Sequence, residues 1–290
     1  MDNKISVVIS TIKYNKNLIK TIKSINSQNY LPKEIIIVSH DKINEQIILN
    51  KKIHLKKYIS KIKNQVYQRN IGIKNLSKNS DLILQLDEGV ILNNKCLFEL
   101  NKFWKKGDKS LIGVGLNQTN VLKENGIMNR FLKKSDLKGK VLKNGINIDY
   151  SNTDKDLEVM WLKGGISSWK IKKKKIKNRK YPFWKWSVYE DVEISLSKDK
   201  KQKLFVCHKA KAKIIKKNKL DFGNLIYRGS LHTFSQKNIV KKFFNDMTFF
   251  YLTMPVFIFF SLILSILTLN YSKFIYNLGR FKGLFIIDFN

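Results

Sequence analysis

Two short apolar runs separated by an amphipathic segment constrain the fold of this chain most strongly. Residues 5–9 (ISVVI) and 34–38 (EIIIV) are rich in β-branched side chains, as strands buried on both faces are. Between them, Leu18, Ile22 and Ile25 recur at helical spacing. The order strand, helix, strand predicts a βαβ unit, in which the two strands run parallel.

A third apolar run extends this pattern. Residues 81–86 (DLILQL) lie directly before Asp87 and Glu88. The three runs predict one three-layer α/β/α domain over residues 1–225, with the runs as neighbouring central strands of a mostly parallel sheet. Ligands of such sheets bind at the carboxyl ends of the strands. We therefore expect the polar residues that follow each strand to line one cleft.

Asp87 and Glu88 form one candidate ligand set. Carboxylates are scarce, with 22 Asp and Glu against 56 Lys and Arg, so a pair at a strand end stands out. Gly89 follows the pair and allows a ligand to approach the backbone closely. Hard carboxylate oxygens suit Mg²⁺ or Mn²⁺ bound to a diphosphate. A solvated turn or a helix N-cap explains the same residues, and both interpretations stay open.

Glu190 and Asp191 form a second candidate pair, next to an aromatic stretch at residues 181–186 (YPFWKW). Apolar surroundings raise the basicity of a carboxylate, which suits proton transfer from a sugar hydroxyl. The same acids also suit the first turn of a helix over residues 188–196, where they favour the helix dipole. Within the aromatic stretch, Trp184 and Trp186 are expected either to stack on an acceptor sugar or to pack in the core.

The C-terminal quarter of the chain differs in kind. Residues 247–270 carry no charged side chain and are long enough to cross a bilayer, although a buried helix of a soluble domain is the alternative. We predict a basic linker over residues 226–246 before them and a basic amphipathic tail over residues 271–290 after them. A single crossing, with the tail on the outer side of the membrane, is favoured over a re-entrant segment that returns to the side from which it entered. Lysines before the segment predict that the α/β domain is cytoplasmic, at the inner or plasma membrane.

The formal net charge of +34 narrows the partners only partly. A bias toward A/T-rich codons explains abundant Lys, and so does selection for anionic partners such as nucleotides or membrane lipids. A nucleic acid also qualifies by charge. Nucleic-acid binding explains neither carboxylates at strand ends nor the apolar segment, so no nucleic acid is expected, whereas anionic membrane lipids are.

Six segments, in order along the chain, resemble motifs of family 2 glycosyltransferases of the GT-A type. They are residues 6–38, 69–72 (RNIG), 86–89 (LDEG), 161–165 (WLKGG), 189–192 (YEDV) and 203–210. The resemblance implies a GT-A, Rossmann-like fold followed by a C-terminal transmembrane helix. It also implies inverting transfer of a sugar from a nucleotide-sugar donor to a glycan or lipid-linked acceptor, as in cell-surface polysaccharide biosynthesis.

The resemblance implies roles for individual residues. Asp191, beside Glu190, matches the general base that deprotonates the acceptor hydroxyl. Asp87 matches an acid that contacts the donor ribose or a metal, and Glu88 stands at the centre of that metal motif. The implied cofactor is a divalent cation, Mg²⁺ or Mn²⁺, that neutralises the leaving diphosphate. The residues expected to bind the donor are Ser10, Thr11, Ser39, Asp41, Arg69 and Asp87, and those expected at the acceptor are Gly164, Gly165, Trp184 and Trp186.

The chain also departs from the family pattern. Gly89 stands where the motif has its third acid, so one expected metal ligand is missing. Ser39 and His40 replace the two acids that follow the second strand, and Asp41 lies two positions late. No His follows Ala212 in the later strand. The alternative function is therefore a catalytically degenerate, basic, membrane-anchored protein that binds anionic lipid or nucleic acid.

Overall fold

The computed structural model describes residues 3–121, 135–171, 187–215 and 222–287. Its strands are β1 (Ile5–Thr11), β2 (Glu34–Ser39), β3 (His54–Ile59), β4 (Leu82–Asp87), β5 (Val90–Leu92), β6 (Leu111–Gln118), β7 (Leu157–Val159), β8 (Ile166–Lys170) and β9 (Lys203–Ile214). Its helices are α1 (Lys16–Asn26), α2 (Gln65–Lys74), α3 (Cys96–Lys106), α4 (Glu190–Leu196), α5 (Phe222–Ile239), α6 (Met247–Leu267) and α7 (Tyr271–Phe285). A π-helical turn, Val240–Phe244, extends α5.

The strands form one sheet in the order β3-β2-β1-β4-β8-β6-β9-β5, and β7 also pairs with β9. β3, β2, β1 and β4 are parallel neighbours, which confirms the three predicted runs as adjacent central strands. Beyond β4 the sheet is mixed, because β8 runs antiparallel to both β4 and β6. The parallel half therefore brings several strand ends to one edge.

Helices cover both faces of the sheet, because successive side chains of a strand point to opposite faces. Ile5, Val7 and Ile9 of β1 pack in the cluster that contains the buried residues of α1 and α3. Val8 belongs to the opposite cluster, together with Ile73 of α2 and a residue of α4. The predicted three-layer arrangement is confirmed.

The strand register fixes which polar residues meet at the carboxyl edge. Ser10 at the end of β1 is opposite Asp87 of β4. On the other side of β1, Thr11 is opposite Ser39 of β2. Three of the four parallel strands thus place a predicted site residue in one row.

The region predicted as a basic linker is a helix instead. Residues 222–239 form α5, which packs along α7. Glycines allow this packing, since a Cβ on Gly229 would lie 2.1 Å from the Tyr276 carbonyl oxygen and one on Gly279 would lie 2.2 Å from that of Ile226. Small residues let two helix backbones approach closely. The sequence pattern missed α5 because its buried face is largely polar, including Ser230, Thr233, Ser235 and Gln236.

α6 and α7 form an antiparallel hairpin, so the region predicted as a basic amphipathic tail is a helix that packs against α6. Leu284 near the end of α7 shares a core cluster with Phe250 and Met254 in the first half of α6. Nearer the turn, Asn277 Nδ2 donates to the Ser261 carbonyl oxygen at 3.2 Å. Among the described residues, α6 is the one helix long and apolar enough to cross a membrane, with a mean hydropathy of 2.3.

α2 reaches the sheet through a glycine. A Cβ on Gly72 would lie 2.4 Å from Val8 Cγ1, closer than packed atoms approach. Val8 is fully buried between the sheet and α2. Gly72 therefore sets how deeply α2 sits, and α2 carries Arg69 and Gln65 toward the strand ends.

We predict that Gly72→Ala lowers the free energy of unfolding by about 1–3 kcal/mol, because overpacking outweighs the helix propensity that Ala adds. Val8→Ala makes room for the new methyl group, so the double variant should lose less stability than the two single variants together. Urea unfolding in detergent, followed by tryptophan fluorescence, measures the three values. Strict additivity would contradict the proposed contact.

Candidate active site

Arg69 joins two acids that are far apart in sequence. Its Nη2 atom lies 2.8 Å from Asp87 Oδ1 at the end of β4, and its Nη1 atom lies 2.9 Å from Glu190 Oε1 at the start of α4. The Arg69 side chain is only 7% exposed. Burial alone would lower its pKa, but the charges of Asp87 and Glu190 raise it, so the guanidinium stays charged.

Asp191 is held by backbone amides. Gly164 N donates to Asp191 Oδ2 at 3.1 Å, and Val192 N donates to Asp191 Oδ1 at 2.9 Å. The approach needs glycine, because a Cβ on Gly164 would lie 2.7 Å from Arg69 Nη1. A Cβ on Gly165 would lie 2.3 Å from the Asp87 carboxylate. The two glycines therefore let the loop before β8 close over both acids.

The neighbouring carboxyls of Glu190 and Asp191 bind protons more tightly than ordinary carboxyls. Burial raises the pKa of Asp191, although the amides of Gly164 and Val192 lower it. Burial and then the charge of Asp191 raise the pKa of Glu190 to about 7, against the opposing effect of Arg69. Such an environment suits a group that accepts a proton near neutral pH.

The ends of β1 and β2 supply a polar floor. Ser10 Oγ is buried and has no hydrogen-bond partner among the described residues, which is uncommon for a buried polar atom. Gln68 Nε2 donates to the Thr11 carbonyl oxygen at 2.6 Å, which ties α2 to this floor. Ser39 is buried, whereas Asp41 is exposed and its backbone amide bonds to the Ile12 carbonyl oxygen at 2.8 Å.

Asp87 and Glu88 have different partners. Asp87 Oδ1 accepts hydrogen bonds from Arg69 and Gln65, and 29% of its side chain is exposed. Glu88 Oε2 instead accepts from Thr11 Oγ1 and, at 2.9 Å, from Asn15 Nδ2. Among the residues that the structure describes, no group of three or more His, Cys, Asp or Glu could hold a metal ion.

The side-chain ligands at this edge of the sheet fit a divalent cation in one way, with Asp87 as the protein ligand. Mg²⁺ is commonly held by one or two carboxylates together with substrate phosphates and water. Asp87 offers such a carboxylate at the cleft. Glu88 instead bonds to Thr11 at the end of β1, and Gly89, at φ +88°, has no side chain to offer as a ligand. A cation held jointly by Asp87 and Glu88 is not what these contacts favour.

Sequence reasoning missed Gln65, Gln68 and Asn15 around the site. Gln65 and Gln68 share one face of α2 with the predicted Arg69, at i, i+3 and i+4 spacing, and that spacing was the available signal. Asn15 caps α1 with its Oδ1 atom while its amide group holds Glu88. Of the predicted acceptor residues, Gly164 and Gly165 lie at the site, whereas Trp184 and Trp186 lie outside the described residues.

The comparison with protein families agrees with this geometry. The family described as Glycosyl transferase family 2 matches residues 6–155, which is more than half of the chain. The chain belongs to glycosyl transferase family 2. That match confirms the family inferred from the six motifs. A search of curated proteins found no match.

Solved structures show that this family 2 chain has the GT-A fold. GalNAc-T7 with UDP, GalNAc and Mn²⁺ is similar with a TM-score of 0.57 and 13% identity, over 88% of this chain and 51% of that one. The mannosyltransferase PcManGT from Pyrobaculum calidifontis, with GDP-Man and Mn²⁺, is similar with a TM-score of 0.52 and 10% identity, over 81% of this chain and 63% of that one. S. aureus TarS with UDP is similar with a TM-score of 0.50 and 14% identity, over 96% of this chain and 90% of that one.

The coverage limits what these neighbours share with the family 2 chain. The chain spans about half of GalNAc-T7 and under two thirds of PcManGT. It spans 38% of a longer S. aureus TarS structure. At such identities the likeness concerns the fold alone.

We predict that Arg69→Met destabilises the protein by roughly 3 kcal/mol at pH 8, because Asp87 and Glu190 lose their buried counter-charge. The loss should shrink at pH 5. Without Arg69 the folded state holds its carboxyl protons more tightly than the unfolded state, so stability rises as the pH falls through the raised pKa of Glu190. Urea midpoints at both pH values test this.

The matched control is Arg69→Met combined with Glu190→Gln, which removes one of the stranded charges. This double variant should be more stable than Arg69→Met at pH 8 and should show a weaker pH dependence. An Arg69→Met variant equally destabilised at pH 5 and pH 8 would argue against the double ion pair.

Proposed function

We propose that this chain is an inverting glycosyltransferase that moves a sugar from a nucleotide-diphosphate sugar to a hydroxyl of a glycan or lipid-linked acceptor. The observation that carries the proposal is the position of Asp191. Its carboxylate is fixed by the Gly164 amide and borders the Arg69–Asp87 ion pair at the carboxyl edge of the sheet. Family membership supplies the reaction class.

In the proposed reaction, Asp191 takes the proton from the acceptor hydroxyl. The acceptor oxygen forms a bond to the anomeric carbon while the bond from that carbon to the diphosphate oxygen breaks. One displacement inverts the anomeric centre. A base with a raised pKa is suited to this step, because it holds the abstracted proton more tightly than an ordinary aspartate does.

Donor binding is proposed for the strand-end row. Ser10, whose buried hydroxyl has no described partner, lies in register beside the partly exposed carboxylate of Asp87. Thr11, Ser39 and Asp41 continue the row toward the nucleoside. The neighbours support a nucleotide-sugar donor in general, because they were solved with UDP or GDP-Man.

A divalent cation is proposed to accompany the donor. Asp87 would hold it together with the diphosphate, and the cation would neutralise negative charge on the leaving group. Two of the neighbours contain Mn²⁺, which supports this class of cofactor. The acceptor side is proposed at Gly164 and Gly165, with Trp184 and Trp186 stacking on the sugar.

We predict that Asp191→Asn lowers transfer at least ~100-fold while nucleotide binding stays within about twofold, because the base acts on the acceptor. Asp87→Ala should instead weaken nucleotide and Mn²⁺ binding together. A thermal-shift screen of nucleotides first identifies the donor, and transfer is then measured with and without Mn²⁺.

Wild-type transfer should also lose activity on acidification at a higher pH than an unperturbed aspartate would predict, since the pKa of Asp191 is raised and the base must be ionised. Full turnover by Asp191→Asn would refute the assignment of the base. Nucleotide binding without turnover of any donor would favour the binding-protein alternative.

We also propose that the α6–α7 hairpin embeds in the cytoplasmic leaflet and returns to the side from which it entered. α6 exposes apolar side chains along its length, including Leu252, Phe259 and Leu267. α7 packs back along α6 and also against α5, which precedes the hairpin. A tail on the far side of the membrane could not make both contacts. Re-entry is therefore proposed in place of the single crossing favoured by the sequence.

The charge distribution supports the cytoplasmic orientation. Lys237, Lys241 and Lys242 lie just before α6, and Lys282 lies near the C-terminal end of α7. Basic residues flanking membrane segments stay on the cytoplasmic side, where anionic head groups attract them. Close contact with the membrane surface would place the site beside a lipid-linked acceptor.

We predict that a reporter active only in the periplasm is inactive when fused after Asn290, because α7 returns with its C-terminus on the cytoplasmic side. A cytoplasm-active reporter at the same position should give full signal. The control fusion is placed after Leu269 at the hairpin turn. A periplasmic signal at Asn290 would instead establish a crossing.

A further inference from the structure

The residue before Glu190 and Asp191 has an unusual backbone. Tyr189 is the N-cap of α4 and has φ +66°, in the left-handed region that bulky side chains rarely adopt. Its ring is 7% exposed and packs on His232 of α5 with ring centroids 5.0 Å apart. A residue other than glycine is strained at this φ angle, so contacts elsewhere in the protein must hold Tyr189 in this conformation.

A chain of hydrogen bonds through the protein interior holds the Tyr189 hydroxyl. The hydroxyl donates to Asn147 Oδ1 at 2.7 Å and accepts from Gln236 Nε2, also at 2.7 Å. On the other side of Gln236, Arg280 Nη2 donates to its Oε1 atom at 3.2 Å. Gln236 is 1% exposed and Arg280 is 5% exposed. Neither side chain can therefore form a replacement hydrogen bond to water if this chain of hydrogen bonds is broken.

Arg280 connects this chain to the hairpin. It lies on α7, its guanidinium is 5.2 Å from the centroid of the Phe257 ring, and it contacts Met254 of α6 at 3.4 Å. The neighbouring glycines, Gly279 and Gly283, bring α7 against α5, and this close packing keeps Arg280 within reach of Gln236. The chain therefore runs from the acidic turn through α5 to both helices of the hairpin.

We propose that Gln236 and Arg280 are positioning residues for Asp191, so that the C-terminal helices form part of the active site in addition to contacting the membrane. The proposal rests on the proposed role of Asp191 as the base. Loss of the chain lets Tyr189 relax toward an ordinary φ. The first turn of α4 then shifts, and the Asp191 carboxylate moves relative to the Gly164 amide. Displacements of about 1 Å can cost on the order of 100-fold in rate.

The test compares Arg280→Met and Tyr189→Phe with Asn277→Ala. Met keeps the length and apolar stem of Arg280 but cannot donate, and Phe keeps the ring of Tyr189 but lacks the hydroxyl. Asn277 is the matched control, since it is also buried on α7 and bonds to α6, but it is outside the chain. We expect kcat to fall ~10-fold or more in the first two variants, with the nucleotide Kd unchanged, and to change little in Asn277→Ala.

A second measurement does not depend on activity. Hydrogen exchange of residues 187–196 should become faster in Arg280→Met and Tyr189→Phe and stay unchanged in Asn277→Ala. Arg280→Lys, which keeps a donor, should restore part of both the rate and the protection. Equal effects of Arg280→Met and Asn277→Ala on kcat and exchange, or no effect of Arg280→Met and Tyr189→Phe, would overturn the proposal.

The two hypotheses can fail separately. A wild-type protein that turns over no donor, yet whose α4 exchange responds to Arg280→Met and not to Asn277→Ala, would contradict the proposed function while supporting the coupling. If the wild-type protein is active and Arg280→Met changes neither kcat nor hydrogen exchange, the result would support the proposed function and contradict the coupling. Thermal unfolding of every variant checks that each one folds.

Discussion

The buried guanidinium of Arg69 is the interaction on which the site depends. It bonds at once to Asp87 from the parallel half of the sheet and to Glu190 from the helix after the mixed half. Buried acids without a counter-charge would repel one another and take up protons. One cation in the middle therefore lets three carboxyl groups gather at a strand edge, although the pKa of Glu190 remains raised.

Close backbone approach at glycines makes this gathering sterically feasible. Gly72 seats α2 on Val8 and so sets the depth of Arg69, while Gly164 and Gly165 bring the loop before β8 against the acids. The same device recurs away from the chemistry, where Gly229, Gly279 and Gly283 bring α5 and α7 together. Added methyl groups at these places would push apart elements that carry charged side chains.

The C-terminal helices connect catalysis to the membrane in the proposed scheme. The hairpin exposes an apolar surface outward and turns Arg280 inward, toward Gln236 and the Tyr189 hydroxyl. A buried arginine among aromatic and thioether groups is costly, and while the Nη2 atom of Arg280 donates to Gln236, its Nε atom has no partner among the described residues. The Nη2 bond ties the hairpin to the acidic turn, so anchoring and positioning are proposed to share the same helices but to use different side chains.

The sequence by itself determined the parallel core and the family, and it predicted the acids of the candidate site. Apolar runs at residues 5–9, 34–38 and 81–86 are a local property, because a strand buried on both faces must be apolar throughout. Motif order along the chain likewise pointed to Asp87 and Asp191. The absence of charged residues from 247–270 marked this segment as a candidate membrane helix.

Only the tertiary structure decided how those acids are held and how the C-terminus folds back. Arg69 and Glu190 are far apart in sequence, and no periodicity reveals a contact made by two different elements. Glu88 faces Thr11 and Asn15, a direction that depends on the turn at Gly89. α5 was mistaken for a linker, because its buried face is polar and becomes intelligible only once α7 and Arg280 lie against it. Such contacts arise from three-dimensional packing, which sequence spacing does not encode.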